Sequence, residues 1–223
     1  PNDRQSEPAR DRGNRSLLVD YPALRGHRRR RNLLAHAVPP LMNGFSERLA
    51  AEGLSLRHTK TEVLQINVGK LCNLTCTHCH VNAGPKRKEI ITRETVDHII
   101  DWLAKTEIPI VDLTGGAPEM IPDFRYFVER VRALKPFRKI IDRCNLTILL
   151  EPGYEGLAQF LARHKVEIIA SMPCYTPENV NAQRGEGVFD GSIAGLKLLN
   201  SLGYGVNVDL PLHLVRESCR GRG

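Results

Sequence analysis

Val68-Gly69-Lys70-Leu71-Cys72-Asn73-Leu74-Thr75-Cys76-Thr77-His78-Cys79-His80 places three of the chain's six cysteines within eight residues, in the array C-x3-C-x2-C. Thiols so close together oxidise or bind metal unless something holds them. A disulfide framework would spread its cysteines along the chain in even number, whereas three in one loop point to a metal. Three protein ligands suit a centre that keeps one position open for chemistry, while closed structural zinc sites take four ligands, usually as two separated pairs. His78 or His80 offers a fourth ligand, so a Cys3His zinc site stays open on spacing alone. A short loop of thiolates fits an iron–sulfur cluster better.

Working outward, Val63 to Val68 reads as a strand that ends directly at the loop. Thr92 is placed to cap a helix with Val96, Ile99, Ile100 and Leu103 on one face. A second strand follows at 108–113, then a helix marked by Phe124, Phe127, Val128 and Val131. The third strand is expected at 139–144, with a helix at Leu157, Phe160 and Leu161 after it. The fourth strand is expected at 166–171, followed by a helix at Ile193, Leu196 and Leu199, and the fifth strand at 205–212. A short helical pattern from Ser46 precedes the first strand. Strands alternating with amphipathic helices imply a parallel sheet with right-handed crossovers, hence an α/β barrel or part of one. Ligands of such sheets bind beyond the carboxyl ends of the strands. The residues with chemistry to offer fall there: the cysteine loop, Gly115-Gly116, Cys144-Asn145, and Ser171 with Cys174.

The cysteine array after an apolar strand resembles the cluster loop of radical S-adenosylmethionine (SAM) enzymes. Within that superfamily the chain is most similar to the arsenosugar-biosynthesis branch, through the phrases Gly69-Lys70-Leu71-Cys72-Asn73, His78-Cys79-His80-Val81 and Ala83-Gly84-Pro85. The resemblance runs from about residue 43 to 215 and implies a partial (βα) barrel. It implies that Cys72, Cys76 and Cys79 hold three irons of a [4Fe–4S] cluster whose fourth iron chelates SAM. Thr114-Gly115-Gly116-Ala117-Pro118 resembles the superfamily's Gly-Gly-Glu-Pro element, whose backbone receives the amino group of SAM. Ala117 replaces the general Glu, as the arsenosugar branch does. Two glycines let the main chain approach a ligand, and Pro118 stiffens the exit. Asn145 and Ser171 are expected partners of the cofactor's ribose or carboxylate, against a capping or turn role for each. Gln183-Arg184-Gly185-Glu186-Gly187 resembles another phrase of the branch, in which Arg184 is suited to an anionic group or to a surface salt bridge.

By the resemblance, reductive cleavage of SAM gives methionine and a 5′-deoxyadenosyl radical, which adds to the arsenic of dimethylarsinous acid. Trivalent arsenic is thiophilic, so Cys144 and Cys174 are expected to hold the methylated arsenite substrate, the competing role being core packing. An electron donor such as flavodoxin or ferredoxin is implied. Two other functions stay open: a different radical SAM reaction on a peptide or small metabolite, and a non-catalytic zinc-binding module, which would be colourless where a cluster is brown.

The 223 residues, 41% hydrophobic and 26% charged, suit one ordinary domain with a substantial core. The net charge of +7 sits at the ends: residues 1–42 carry nine Arg against four acids, and 216–223 three Arg against one Glu. The 20 basic and 20 acidic residues between them cancel, which speaks against a nucleic-acid groove. No run of about 18 apolar residues exists, so no membrane span is expected. No secretory leader is read either, which suits a reducing cytoplasm. Residues 1–42 read as a basic, disordered leader. The resemblance implies that the fifth strand continues into a Val-Tyr-Asn-Pro-like turn and a further C-terminal domain. Residues 216–223 instead fit neither strand nor helix and read as a truncation or shifted frame, leaving the last barrel strand and that domain missing and an aggregation-prone sheet edge.

Overall fold

The computed structural model describes residues 44–57 and 59–216. The expected leader and most of the expected tail, with Cys219, lie outside the described residues. Five strands form one sheet: β1 (Val63–Asn67), β2 (Ile110–Thr114), β3 (Lys139–Asp142), β4 (Glu167–Ser171) and β5 (Leu212–Val215). All neighbours are parallel and the strand order is sequential, β1-β2-β3-β4-β5. A right-handed crossover repeated in one direction puts every helix on the same face and curls the sheet; a doubly wound sheet would need the order to reverse. Among the described residues β1 and β5 each pair with one strand, so the barrel is partial, as expected.

Helix α1 (Gly44–Ala51) belongs to a separate compact unit ending at Arg57 and buries none of its residues. The other helices cover the sheet: α2 (Arg93–Leu103), α3 (Phe124–Ala133), α4 (Leu157–Arg163), α5 (Pro177–Arg184) and α6 (Val188–Ser201). Thr92 caps α2 as its sequence predicts, its side chain accepting from Thr95 N–H at 3.3 Å. Val96, Ile100 and Leu103 of α2, Phe124, Phe127, Val128 and Val131 of α3, and Leu157, Phe160 and Leu161 of α4 all enter one core with Val111, Leu113, Ile140 and Ile168 of the sheet. Each such side chain contributes about 1.5–3 kcal/mol by leaving water. No helix among the described residues is long and apolar enough to cross a membrane.

Two elements differ from the expectation. The fifth strand begins at Leu212, where 205–212 was expected, and pairs Ile168 with Leu212 through to Ser171 with Val215. Val206 and Val208, inside the expected span, are about nine-tenths exposed (88% and 91%). Residues 203–210 close on themselves as turns instead, with Asn207 N–H donating to Gly203 O (2.8 Å) and Gly205 N–H to Leu210 O (3.0 Å). Helix α5 was not expected. It buries one apolar residue, Val180, so no stripe advertises it; its signal is Pro177 in the first turn and Gly185 beyond the last. Helix α6 buries Val188, Ser192, Gly195 and Leu199, while Ile193 and Leu196 are half-buried, Leu196 with its side chain against the core.

Candidate functional site

At the carboxyl ends of the strands lies a cavity of about 270 Å³, bordered by Cys72, Cys76, Cys79, Gly115, Gly116 and Cys144. The cysteine loop is fixed from both sides. On one, Lys70 N–H donates to Glu89 O (2.7 Å), Gly84 N–H to Lys70 O (3.0 Å) and Cys72 N–H to Gly84 O (3.3 Å). On the other, Gly116 N–H donates to Gly69 O and Ala117 N–H to Leu71 O, both at 2.9 Å. Such an approach excludes side chains. A Cβ on Gly115, whose φ is +134°, would stand 2.5 Å from Gly69 O, and one on Gly116 would stand 2.1 Å from Leu71 O. Of the Gly115–Pro118 element only the glycines reach the cavity. Ala117 and Pro118 are buried, and Ala117 packs against the loop with Cys72, Leu74 and Ala83.

Cys72, Cys76 and Cys79 are thiols outside any disulfide. Cys72 is buried, and burial pushes its thiol up in pKa, against the pull of two donors, Leu74 N–H at 3.5 Å and Asn145 Nδ2 at 3.7 Å. Cys79 Sγ accepts from Ala83 N–H at 3.2 Å. Among the described residues, the one set of three or more His, Cys, Asp and Glu ligand atoms lying within 4.8 Å of one another is Glu119, Asp142 and Cys144. The loop thiols do not converge in that way. Ligands of one tetrahedral zinc, at Zn–S of about 2.3 Å, would stand about 3.8 Å apart. Donors to separate irons of a cluster stand wider, and N–H groups aimed at two of the sulfurs suit thiolates that share a cluster's charge. The residues present fit that group.

Asn145 is nine-tenths buried and fully engaged by the protein. Its Nδ2 donates to Asn73 Oδ1 (2.6 Å), and its Oδ1 accepts from Thr147 Oγ1 and Ile148 N–H, both at 3.1 Å. The capping role considered for it is therefore present, and the same side chain braces the cysteine loop. Ser171 borders the cavity, with its carbonyl accepting from Arg184 Nη1 (2.7 Å) and its hydroxyl hydrogen-bonded to Arg184 Nη2. Arg184 is 5% exposed, a buried cation at the cavity wall rather than a surface salt bridge. A second guanidinium there, Arg143, is gripped in a fork by Asp112 on β2 at 2.9 and 2.8 Å. The Asp112 carboxylate offsets the charge of Arg143, so of the two guanidiniums it is Arg184 that favours an anionic group in the cavity. Arg143 and Asp112 escaped the sequence reading because their pairing comes from the β2–β3 register.

Of the two cysteines expected to meet substrate, Cys144 borders the cavity and keeps a free thiol. Cys174 is buried beside Cys72 and Val180 but is disulfide-bonded, so it presents no thiolate, a correction to the two-thiol expectation. Behind Cys144 lie Glu119 and Asp142, 4% and 0% exposed, which the sequence reading missed. Glu119 has the Cys144 thiol and its own backbone N–H beside it, no fixed donor reaches Asp142, and the two carboxyls satisfy each other once a proton lies between them. Burial, reinforced by the facing Glu119, raises Asp142 well above the ordinary carboxylate range; burial raises Glu119 and Cys144 too. Next to them Leu146 is fully buried at φ 70°, a strained conformation costing of order 1–3 kcal/mol that persists in a well-determined site. The raised carboxyls fix a sign. Their contribution to stability is complete below the ordinary range near pH 4 and is lost as pH rises through the folded values. In cluster-free protein, Asp142→Asn should flatten the fall of unfolding free energy above pH 4 by up to about 1.4 kcal/mol per pH unit for the proton removed. Identical slopes in chemical denaturation of variant and wild type would refute the shared proton.

The model of the Radical SAM superfamily matches residues 66–216. Mycofactocin maturase MftC of Mycobacterium tuberculosis is 30% identical over 141 residues, 62% of this chain and 34% of that protein. A probable GTP 3′,8-cyclase of Pyrococcus horikoshii is 26% identical over 153 residues, 66% of this chain and 46% of that protein. The chain thus spans between a third and a half of the length of these relatives. Crystal structures of Streptococcus suis SuiB share the fold: with S-adenosylmethionine, TM-score 0.56 at 16% identity over 75% of this chain and 36% of that one; with precursor peptide SuiA, 0.55 at 18% over 78% and 38%.

Proposed function

Because the chain belongs to the Radical SAM superfamily, whose members use a [4Fe–4S] cluster and SAM, we propose that it transfers the 5′-deoxyadenosyl group of SAM to methylated trivalent arsenic. The observation that carries the radical SAM part of this reading is the trio of cysteine thiols, Cys72, Cys76 and Cys79, on one cavity with the Gly115–Gly116 backbone. When bound, the cluster supplies one electron that cleaves SAM to methionine and the 5′-deoxyadenosyl radical. The chain's own part is to hold and orient. The three thiols hold the cluster; the glycine pair, with Ala117 and Pro118 behind it, lets backbone approach the amino group of SAM. Arg184 sets a positive charge for a carboxylate, and Asn145 and Ser171 form the polar wall. A reducing compartment, the cytoplasm, would keep the three loop cysteines reduced for a cluster, although the Cys174 disulfide is unusual there.

The arsenic assignment is supported by the branch phrases around residues 69–73, 78–81, 83–85 and 183–187, and by Cys144. Its S–H condenses with the As–OH of dimethylarsinous acid, forming As–S and releasing water, a step that needs no thiolate. The net reaction balances without outside oxidant: SAM and dimethylarsinous acid give methionine, the adenosyl arsine oxide and one proton. Peptide modification is the second reading, favoured by SuiB, a neighbour solved with its precursor peptide. Mass spectrometry of anaerobic reactions with dithionite, SAM and dimethylarsinite decides between them. An adenosyl arsenical is expected from the wild type and its loss, with iron retained, from Cys144→Ser. Full arsenical yield from Cys144→Ser removes the role of that thiol, and 5′-deoxyadenosine alone removes the arsenic assignment.

A further inference from the structure

We propose that the basic rim beside the cysteine loop, formed by Lys70, Lys86, Arg87 and Lys88, is the landing surface for an acidic protein that delivers single electrons. The inference rests on the radical SAM reading above, since a centre in that loop must be reduced from outside. It begins with charge. Residues 43–215 are neutral as a whole, yet 68–88 hold three Lys and one Arg with no Asp or Glu. A run of charge is usually a solvated face, and here the fold gives it a place. The hydrogen bonds from Lys70 N–H to Glu89 O and from Gly84 N–H to Lys70 O lay the two ends of the loop side by side. Lys70 therefore joins Lys86, Arg87 and Lys88 in one strip.

That strip adjoins the sulfurs. Ala83 N–H reaches Cys79 Sγ at 3.2 Å, and Lys86 follows three residues later. Cys76 and Cys79 are half-buried where Cys72 is buried, so these two are the loop cysteines nearer to solvent. Lys86 and Lys88 are exposed. Arg87 is paired with Glu89, whose carboxylate Lys70 also faces, while Lys86 and Lys88 form no salt bridge with a described residue. A net positive rim led by Lys86 and Lys88 beside a redox centre matches a transient, small-interface encounter in which charge steers the approach. The step is a bare electron transfer: the carrier is oxidised by one electron, the centre in the loop takes it up, and no bond forms or breaks.

The test compares wild type with Lys86→Glu/Lys88→Glu, using flavodoxin as the acidic carrier and dithionite as a small reductant. Binding of oxidised flavodoxin is measured by biolayer interferometry, and SAM cleavage by methionine release. At low ionic strength the variant should lose roughly tenfold or more in flavodoxin binding and in flavodoxin-driven cleavage. Dithionite-driven cleavage should not change, and added salt should erase the difference between the proteins. Unchanged flavodoxin binding overturns the proposal, as do equal losses with both reductants or binding that moves only for single-stranded RNA. If wild type with dithionite cleaves no SAM, the radical SAM assignment of this chain fails, while the binding arm, which needs no turnover, still decides the rim.

Discussion

Cys76→Ala should fold like the wild type and yet come off an anaerobic column colourless, without iron above background and without SAM cleavage. Cys76 is half-buried and outside the main core, so removing its sulfur opens no large cavity. The cluster-free stability should stay within about 0.5 kcal/mol, as for surface changes. The loss is instead one of charge and valence, because no neighbour takes the thiolate's place. His78 and His80 also border the cavity, so Cys76→His is the sharper companion. A mononuclear zinc module would accept that imidazole and keep its metal, whereas the cluster reading expects the brown colour to be lost or greatly reduced. Metal analysis showing one zinc and no iron in the wild type would end the cluster assignment.

Gly116→Ala should cost more in structure than its single methyl suggests. The new Cβ would sit 2.1 Å from Leu71 O and 2.7 Å from Leu71 C, both backbone atoms, so no side chain can swing aside. Leu71 O is also the acceptor of Ala117 N–H. Relieving the clash means moving the segment directly before Cys72 and giving up that hydrogen bond. Overpacking of this kind costs about 1–3 kcal/mol. We expect a lower denaturant midpoint in cluster-free protein and poor cluster loading even under reconstitution. Gly44→Ala is a fair control, since a Cβ there would meet nothing within 4 Å. Equal loading in Gly116→Ala and wild type would show that the clamp on the loop is dispensable.

What the sequence disclosed was whatever is local or periodic. The thiol spacing, the Thr92 cap, the faces of α2, α3 and α4 and the glycine pair after β2 are written in residues a few positions apart. Placing chemistry at strand ends follows from parallel topology alone, which is why the cysteine loop, Gly115, Cys144, Asn145 and Ser171 meet at one cavity. What stayed hidden depends on register between distant segments. Asp112 finds Arg143 across two strands, Glu119 finds Asp142 between a turn and a strand end, and Asn145 finds Asn73 across 72 positions. The fifth strand was misplaced for the opposite reason. Val206 and Val208 have the alternation of a strand, but they lie in turns that point both outward.

Asn145 has a consequence for the order in which the site is assembled. Asn73 donates to Thr147 Oγ1 and Glu151 Oε1, both at 2.9 Å, and receives Asn145 Nδ2, so the first part of the loop is stapled to the segment after β3 by side chains alone. Fixing a residue's backbone costs roughly 1–2 kcal/mol in conformational entropy. For residues 72–74 that cost is met when the polypeptide folds, before any iron arrives. Cys76 and Cys79 stand on the half-exposed side, tied by Thr77 N–H to Gln183 O and by the turn from Cys76 O to Cys79 N–H. Maturation is then closer to filling a socket with one rigid jaw and one looser one than to folding around a metal. A delivery protein would meet an entrance already shaped on its deep side.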